Sequence, residues 1–193
     1  MTARLSEMIA VQIAELILSG KIESETKLRQ EYLADMLEVS RIPVREALQI
    51  LEAQGLVKRL ATRHIVTVEL DGQKIRETYD IMALIEVGAM TEIAENLPME
   101  TLINACLSGD DMSFHRMIME HTKNLYVQTL LTNAVRYYIS YAEKLKTAES
   151  HMASLCRECG EKTREALADV IKEHYRYLAQ LVIEERLKND RTA

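Results

Sequence analysis

The chain has 193 residues, 48% of them apolar and 28% charged, which suits one large domain or two small ones and excludes a disordered polymer. A net charge of −6 argues against an unspecific polyanion binder, and the lack of any run of about 18 apolar residues predicts no membrane span. One Phe and no Trp, beside ten Met and many Leu, Ile and Ala, predict helices packed through flexible aliphatic side chains.

Leu5, Ile9, Ile13, Leu16 and Ile17 recur at steps of three and four, predicting an amphipathic first helix that stops at Ser19-Gly20. A second helical period runs through Leu28, Tyr32, Leu33, Met36 and Leu37 and breaks over Glu38-Val39-Ser40. Ser40 is a natural N-cap, and Pro43 is tolerated in a first helical turn, where its missing N–H is no loss. A third helix therefore starts there, buries Val44, Ala47, Leu48 and Leu51, and ends at Gly55. Two short β-rich runs follow, Leu56–Leu60 and His64–Val68, around the polar tip Ala61-Thr62-Arg63, which reads as a hairpin. Helix, helix, turn, helix, hairpin is the order of a winged helix-turn-helix.

Asp71-Gly72 marks the expected boundary, with residues 1–70 as the winged domain and 71–193 as a helical domain. Ile75, Tyr79, Met82, Ile85, Glu86 and Ala89 resume a helical period. Breaks at Asn96-Leu97-Pro98, Ser108-Gly109-Asp110 and Gly160 divide the remainder into about five helices. The expected fold class is mainly α, a winged helix-turn-helix followed by an antiparallel helical bundle. Cys106, Cys156 and Cys159 form an odd set with no apolar secretory segment ahead of them, so the cytoplasm is expected. Cys156-x-x-Cys159 lacks a second such pair and reads as helix-surface thiols, not a zinc knuckle.

Residues 26–64 hold seven basic and five acidic side chains, a basic patch on an acidic chain, as specific docking on DNA requires. In a helix-turn-helix the first turn of the second helix leads into the major groove. Here that turn offers Ser40, Arg41, Pro43 and Arg45, where an Arg fork suits guanine O6 and N7 or phosphate and Ser40 suits phosphate. Arg29 joins the same basic patch, and Arg63 and His64 at the hairpin tip are placed to touch backbone or minor groove. The bland alternative is a helical pair with solvated arginines.

The run Ser40-Arg41-Ile42-Pro43-Val44-Arg45-Glu46-Ala47-Leu48, then Leu51-Glu52 and Gly55-Leu56-Val57, resembles the GntR family over residues 5–70. Tyr79 to Glu86 resembles the opening helix of the FadR-type C-terminal domain. The resemblance implies a homodimer on a pseudo-palindromic double-stranded operator, with Arg41 and Arg45 as DNA contacts by position. Two positions depart from the family: Ser24-Glu25-Thr26 stands where Pro-Gly is usual, and His64 where the wing tip usually has Gly. His64 adopts positive φ only at a cost, so a differently shaped wing is expected.

Asp111 and His115 are four apart on one helix face, close enough to share a metal, and His151 and His174 lie on later helices that can converge on a bundle interior. Three imidazoles and a carboxylate suit Zn²⁺, Ni²⁺ or Mn²⁺, with zinc the first choice. The bland reading makes His151 solvent-facing and His174 a neighbour of Glu173. Asp111-x-x-x-His115 with His151 and His174 is similar to the FadR-type pattern, which implies a metal; His121 and His64 fall outside it. Leu97 to Asp110 is shorter than that family's interval, so a helix is expected to be missing or reduced, and Met82 stands where an effector-holding Arg is common. The functional expectation is a DNA-binding transcription regulator controlled by a small organic acid at a metal. The alternatives are a metal-free sensor and a metal-dependent hydrolase.

Overall fold

The computed structural model describes residues 2–147, 150–160 and 163–190. Two compact units divide the chain, one built from residues up to Asp71 together with those from Ile183, the other from Gly72–Val182.

In the first unit α1 (Thr2–Leu18) packs on α3 (Arg41–Ala53). Their facing stripes, Ile9, Ile13 and Ile17 against Val44, Leu48 and Leu51, are fully buried. Each such side chain stabilises the fold by about 1.5–3 kcal/mol relative to exposure. The short α2 (Gln30–Met36) adds Leu33 and Ala34 to this core, and the turn into α3 bends at Glu38, whose φ is 54°. Gly55 follows α3 with φ 72°, the left-handed stop its position predicts.

Three strands complete the unit in the order β1 (Lys27–Leu28), β3 (Ile65–Thr67), β2 (Val57–Arg59). Val57 pairs Thr67 and Arg59 pairs Ile65 antiparallel, so the expected hairpin is present, while β1, which pairs Lys27 with Val66, was not foreseen. The tip is a three-residue loop: Leu60 N–H donates to His64 O, Arg63 N–H donates to Leu60 O, and Arg63 has φ 66°. A turn followed by a left-handed residue is a standard hairpin closure that needs no Asn-Gly. The expectation that His64 carries the unusual backbone is corrected, because Arg63 takes it.

The end of α10 (Arg164–Asp190) also belongs to this unit. Arg186, 9% exposed, donates to the carbonyls of Ile17 and Leu18, and Asn189 Nδ2 donates to Ser19 O at 2.8 Å. A guanidinium thus satisfies the free carbonyls at the C-terminus of α1 and meets the negative end of its dipole.

The second unit holds α4 (Gly72–Ile93), α5 (Met99–Leu107), α6 (Asp111–His121) and α7 (Leu125–Asn133). A π-helical turn (Ala134–Ile139) runs directly into α8 (Ser140–Lys144), and α9 (His151–Glu158) and the first part of α10 follow. The interval after α4 carries a helix, the nine-residue α5. There are more breaks than expected. Asn124 caps α7 by accepting from Tyr126 N and Val127 N, and Ser150 caps α9 by accepting from Ala153 N. Tyr79, Phe114, Ile118, Tyr137, Met152, Ile171 and Tyr175 fill the core. Cys156, expected on a helix surface, is 1% exposed and packs inside. No helix among the described residues is long and apolar enough to cross a membrane.

Candidate nucleic-acid interface and candidate metal centre

Ser40 stands at the N-cap of α3 with extended backbone, but its hydroxyl makes no cap hydrogen bond, so the first N–H groups of a 13-residue helix are left to outside acceptors. Ser40, Arg41 and Arg45 are exposed around this turn. Pro43 is buried and shapes the turn from within; it does not share their surface. Arg41 Nη1 lies 2.6 Å from Glu31 Oε1 on α2, while Arg45 has no ion-pair partner among the described residues.

A groove of about 450 Å³ opens beside this helix pair, lined by Lys27, Arg29, Glu31, Arg59, Arg63 and His64 among others. Four of these are cationic and one is anionic, giving the sign a phosphate backbone requires. Arg29, Arg63 and His64 were foreseen. Lys27 and Arg59 were not, because only the strand pairing of β1 with β3 and β2 brings them to the same wall. His64 Nδ1 sits 3.1 Å from Thr62 Oγ1.

In the second unit Asp111 opens α6, and its carboxylate is anchored from three sides. Ser150 Oγ donates to Oδ1, Lys146 Nζ to Oδ2, and His151 N–H to Oδ2 at 3.2 Å. His174 on α10 reaches the same place, its Nδ1 4.0 Å from Asp111 Oδ2 and 3.3 Å from His151 Nδ1. Glu143, on α8, brings Oε1 to 3.5 Å from His174 Nε2. Asp111, Glu143 and His174 offer ligand atoms that all lie within 4.8 Å of one another.

His115, one turn along α6 from Asp111, packs its ring 5.3 Å from that of His174. His115 Nδ1–H donates to both oxygens of buried Glu86, at 2.8 and 2.9 Å. The other nitrogen of His115, Nε2, together with His174 Nε2 and Glu143 Oε1, is buried and makes no hydrogen bond. His151 is half-buried and stacks on Tyr177 with ring centres 4.0 Å apart. Of the four residues expected at a metal, Asp111 and His174 bring ligand atoms into mutual reach, together with Glu143, which was not foreseen; His115 and His151 each lie against His174 but fall outside that group. His121, left outside the site in the sequence reading, lies on the surface with Nδ1 at Met117 O.

The electrostatics suit a cation. Burial pushes His174 down to about 4, against the opposing pull of Glu143, so its imidazole is neutral near pH 7. Burial likewise lowers His151. Burial also opposes charge on His115, but the Glu86 carboxylate outweighs it and raises that imidazole. Asp111 and Glu143 are both lowered despite burial, Asp111 by His174 and Lys146 and Glu143 by the His174 and Lys146 contacts, so both are carboxylates. Buried oxygen and nitrogen donors with two orphaned imidazole nitrogens match the donor set of a borderline divalent metal.

Residues 5–66 match the model of the gntR family of bacterial regulatory proteins. A gluconate operon transcriptional repressor of Bacillus subtilis (strain 168) is 29% identical over 143 residues. That match takes in 65% of this chain and only 58% of the relative. The HTH-type transcriptional regulator YdhC of the same organism is 22% identical over 192 residues, 86% of this chain and 85% of that one. A solved structure described as Lar, which controls expression of the agr system of Listeria monocytogenes, shares the fold at a TM-score of 0.54 and 17% identity. That likeness spans 93% of this chain and 96% of the other. Both sequence relatives are named as transcriptional regulators.

Proposed function

From the match of residues 5–66 to the gntR family model, we propose a transcription regulator that binds duplex DNA and answers to a small organic acid held at a divalent metal in its helical unit. The observation that carries this reading is the first turn of α3, where exposed Ser40, Arg41 and Arg45 surround uncapped N–H groups beside a cationic groove. Arg41 and Arg45 read base edges or phosphates, while Arg29, Arg63 and His64, with Lys27 and Arg59, hold the backbone. The protein acts as a homodimer on a pseudo-palindromic operator, with two heads spaced by roughly 34 Å, one turn of the groove.

The helical unit, from about residue 71, is the effector-binding and dimerisation domain of FadR type. Asp111, His115 and His174 with Glu143 hold the metal, zinc ahead of nickel or manganese, and His151 lies at its edge. A metal bound there supplies a Lewis-acidic cation with open positions for a carboxylate. Supporting the fit are the orphaned Nε2 atoms of His115 and His174 and the Glu86 carboxylate that orients His115 from behind. The name of the Bacillus subtilis relative makes hydroxy and sugar acids, gluconate first, the class to try. Such a ligand controls DNA only by preferring one head spacing.

A metal-free sensor is the second reading, favoured by Lys146, whose ammonium already bridges Asp111 and Glu143. The test is a duplex selected by the protein from a random pool, titrated with gluconate and related acids before and after zinc loading. A change in affinity on adding an acid is expected only with zinc present. Indifference to every acid under both conditions contradicts effector control, and an equal response in both supports the metal-free sensor.

A further inference from the structure

Within the proposed metal centre stands a side chain that no metal needs. Lys146 lies in the segment between α8 and α9, its side chain 8% exposed. Its ammonium donates to Asp111 Oδ2 and, at 2.8 Å, to Glu143 Oε2. These are two of the three residues whose ligand atoms lie within 4.8 Å of one another, so ammonium and metal claim the same two carboxylates. On the far side the Nε2 atoms of His115 and His174, buried and without hydrogen bonds, are nitrogen ligands that the ammonium, held by the two carboxylates, does not reach.

We infer that Lys146 is the chain's own counter-ion for this centre, and that a divalent metal binds only by displacing it. The charges point that way. Two buried carboxylates facing one ammonium leave one negative charge uncompensated, whereas a divalent ion alone balances both. Metal and ammonium together leave an excess positive charge in a poorly hydrated site, and two cations a few ångströms apart repel strongly there. Lys146 is free to leave because it sits outside regular helix, between Lys144, the last residue of α8, and Ser150, the N-cap of α9. Its departure leaves Asp111 Oδ2 with the His151 N–H as its remaining partner and removes the bond between Lys146 and α6. The site is thereby an exchange between a tethered cation and a free one, and Lys146 sets the metal concentration at which the exchange occurs.

The inference deepens the metal reading of the proposed function and rests on it. Its test is zinc affinity of the full chain by competition with a chromophoric chelator, together with thermal unfolding with and without zinc. Wild type is compared with Lys146→Met, which keeps the buried stem and removes the charge, and Lys146→Arg, which keeps the charge. Lys146→Met is expected to bind zinc about tenfold or more tightly, to unfold at a lower temperature than wild type without metal, and to regain that difference with zinc. Lys146→Arg is expected to stay near wild type or weaker. If Lys146→Met folds only with zinc, the result agrees with the loss of an internal cation. Should wild type bind zinc while Lys146→Met gains nothing, or should both variants gain equally, the exchange is overturned and the metal centre stands. If no form of the protein binds zinc, nickel or manganese, the metal reading itself falls and the exchange with it. Binding by Lys146→Met alone is the extreme of the expected result.

Discussion

Glu86 on α4 accepts with both carboxylate oxygens from Nδ1 of His115 on α6, at 2.8 and 2.9 Å, and so leaves Nε2 of that ring, which packs beside His174, with no partner of its own. A carboxylate behind an imidazole fixes its tautomer and raises its basicity toward a metal. Glu86→Gln keeps the shape and removes the charge. Zinc affinity is expected to fall by about ten- to a hundredfold. Chelator competition checks it, and an unchanged affinity means that His115 is not a ligand.

Acid stability tests the burial of His174. Its imidazole takes up a proton near pH 6.5 when unfolded but only at about 4 when folded, chiefly because burial disfavours charge. The unfolded chain thus binds more protons between these values, and stability falls as pH drops from 6.5 toward 4, by about 3 kcal/mol at most. His115 works the other way, since its raised folded value stabilises at low pH and that contribution is lost as pH rises through it. In chelator-treated protein, His174→Gln is expected to flatten the fall of the urea midpoint between pH 6.5 and 4. A variant profile parallel to wild type means that His174 is solvated.

On the DNA side, Glu31 holds Arg41 at 2.6 Å, with both side chains about two-thirds exposed (65% and 66%). An exposed pair of this kind is worth at most about 1 kcal/mol, so it is readily exchanged for a phosphate or a guanine. Glu31→Gln removes both the competitor and a negative charge facing the duplex. Affinity for a selected duplex is expected to rise up to about fivefold, with the same change largely absent in the Arg41→Ala background. Fluorescence anisotropy reads both.

Arg186 closes the C-terminus of α1 through the carbonyls of Ile17 and Leu18. Arg186→Met keeps the apolar stem, takes from Leu18 O its guanidinium partner and leaves Ile17 O with the Gly20 N–H, at a cost of about 1–3 kcal/mol. Hydrogen exchange is expected to speed up first at the last turn of α1, beside Gly20, whose added Cβ meets Arg186 Cγ at 3.6 Å. Unchanged exchange there shows that water serves those carbonyls equally well.

Much of the first unit was legible because its punctuation is chemical. Ser40, Pro43 and Gly55 mark the ends of α3 by backbone rules that need no tertiary context. What escaped was non-local or shorter than its pattern. β1 is two residues and acquires its identity only by pairing with β3. Arg63, not His64, takes the left-handed φ because a three-residue loop places that position one residue earlier.

In the second unit, Asp111, His115, His151 and His174 are residue types that announce ligation; Asp111 and His174 bring ligand atoms into mutual reach, and His115 and His151 lie against His174. Glu143 gave no such sign, since a Glu on a charged helix face is ordinary. It enters the site where α7 passes through a π turn, Ala134–Ile139, which shifts the register of α8 against the preceding helix. Glu86 carried a signal that was readable, a carboxylate set into an otherwise apolar stripe with Tyr79, Met82 and Ala89, and it is 1% exposed. The missed breaks at Asn124 and Ser150 were also marked by residues that commonly cap helices.

The central claim, that the first turn of α3 docks on duplex DNA, is tested most directly by the salt dependence of binding. Wild type and the double variant Arg41→Ala, Arg45→Ala are titrated against a duplex selected by wild type, over a range of salt concentrations. Loss of both guanidiniums is expected to weaken binding about a hundredfold or more and to lower the slope of log affinity against log salt by about one to two. A double variant that keeps both the affinity and the slope of wild type contradicts the account.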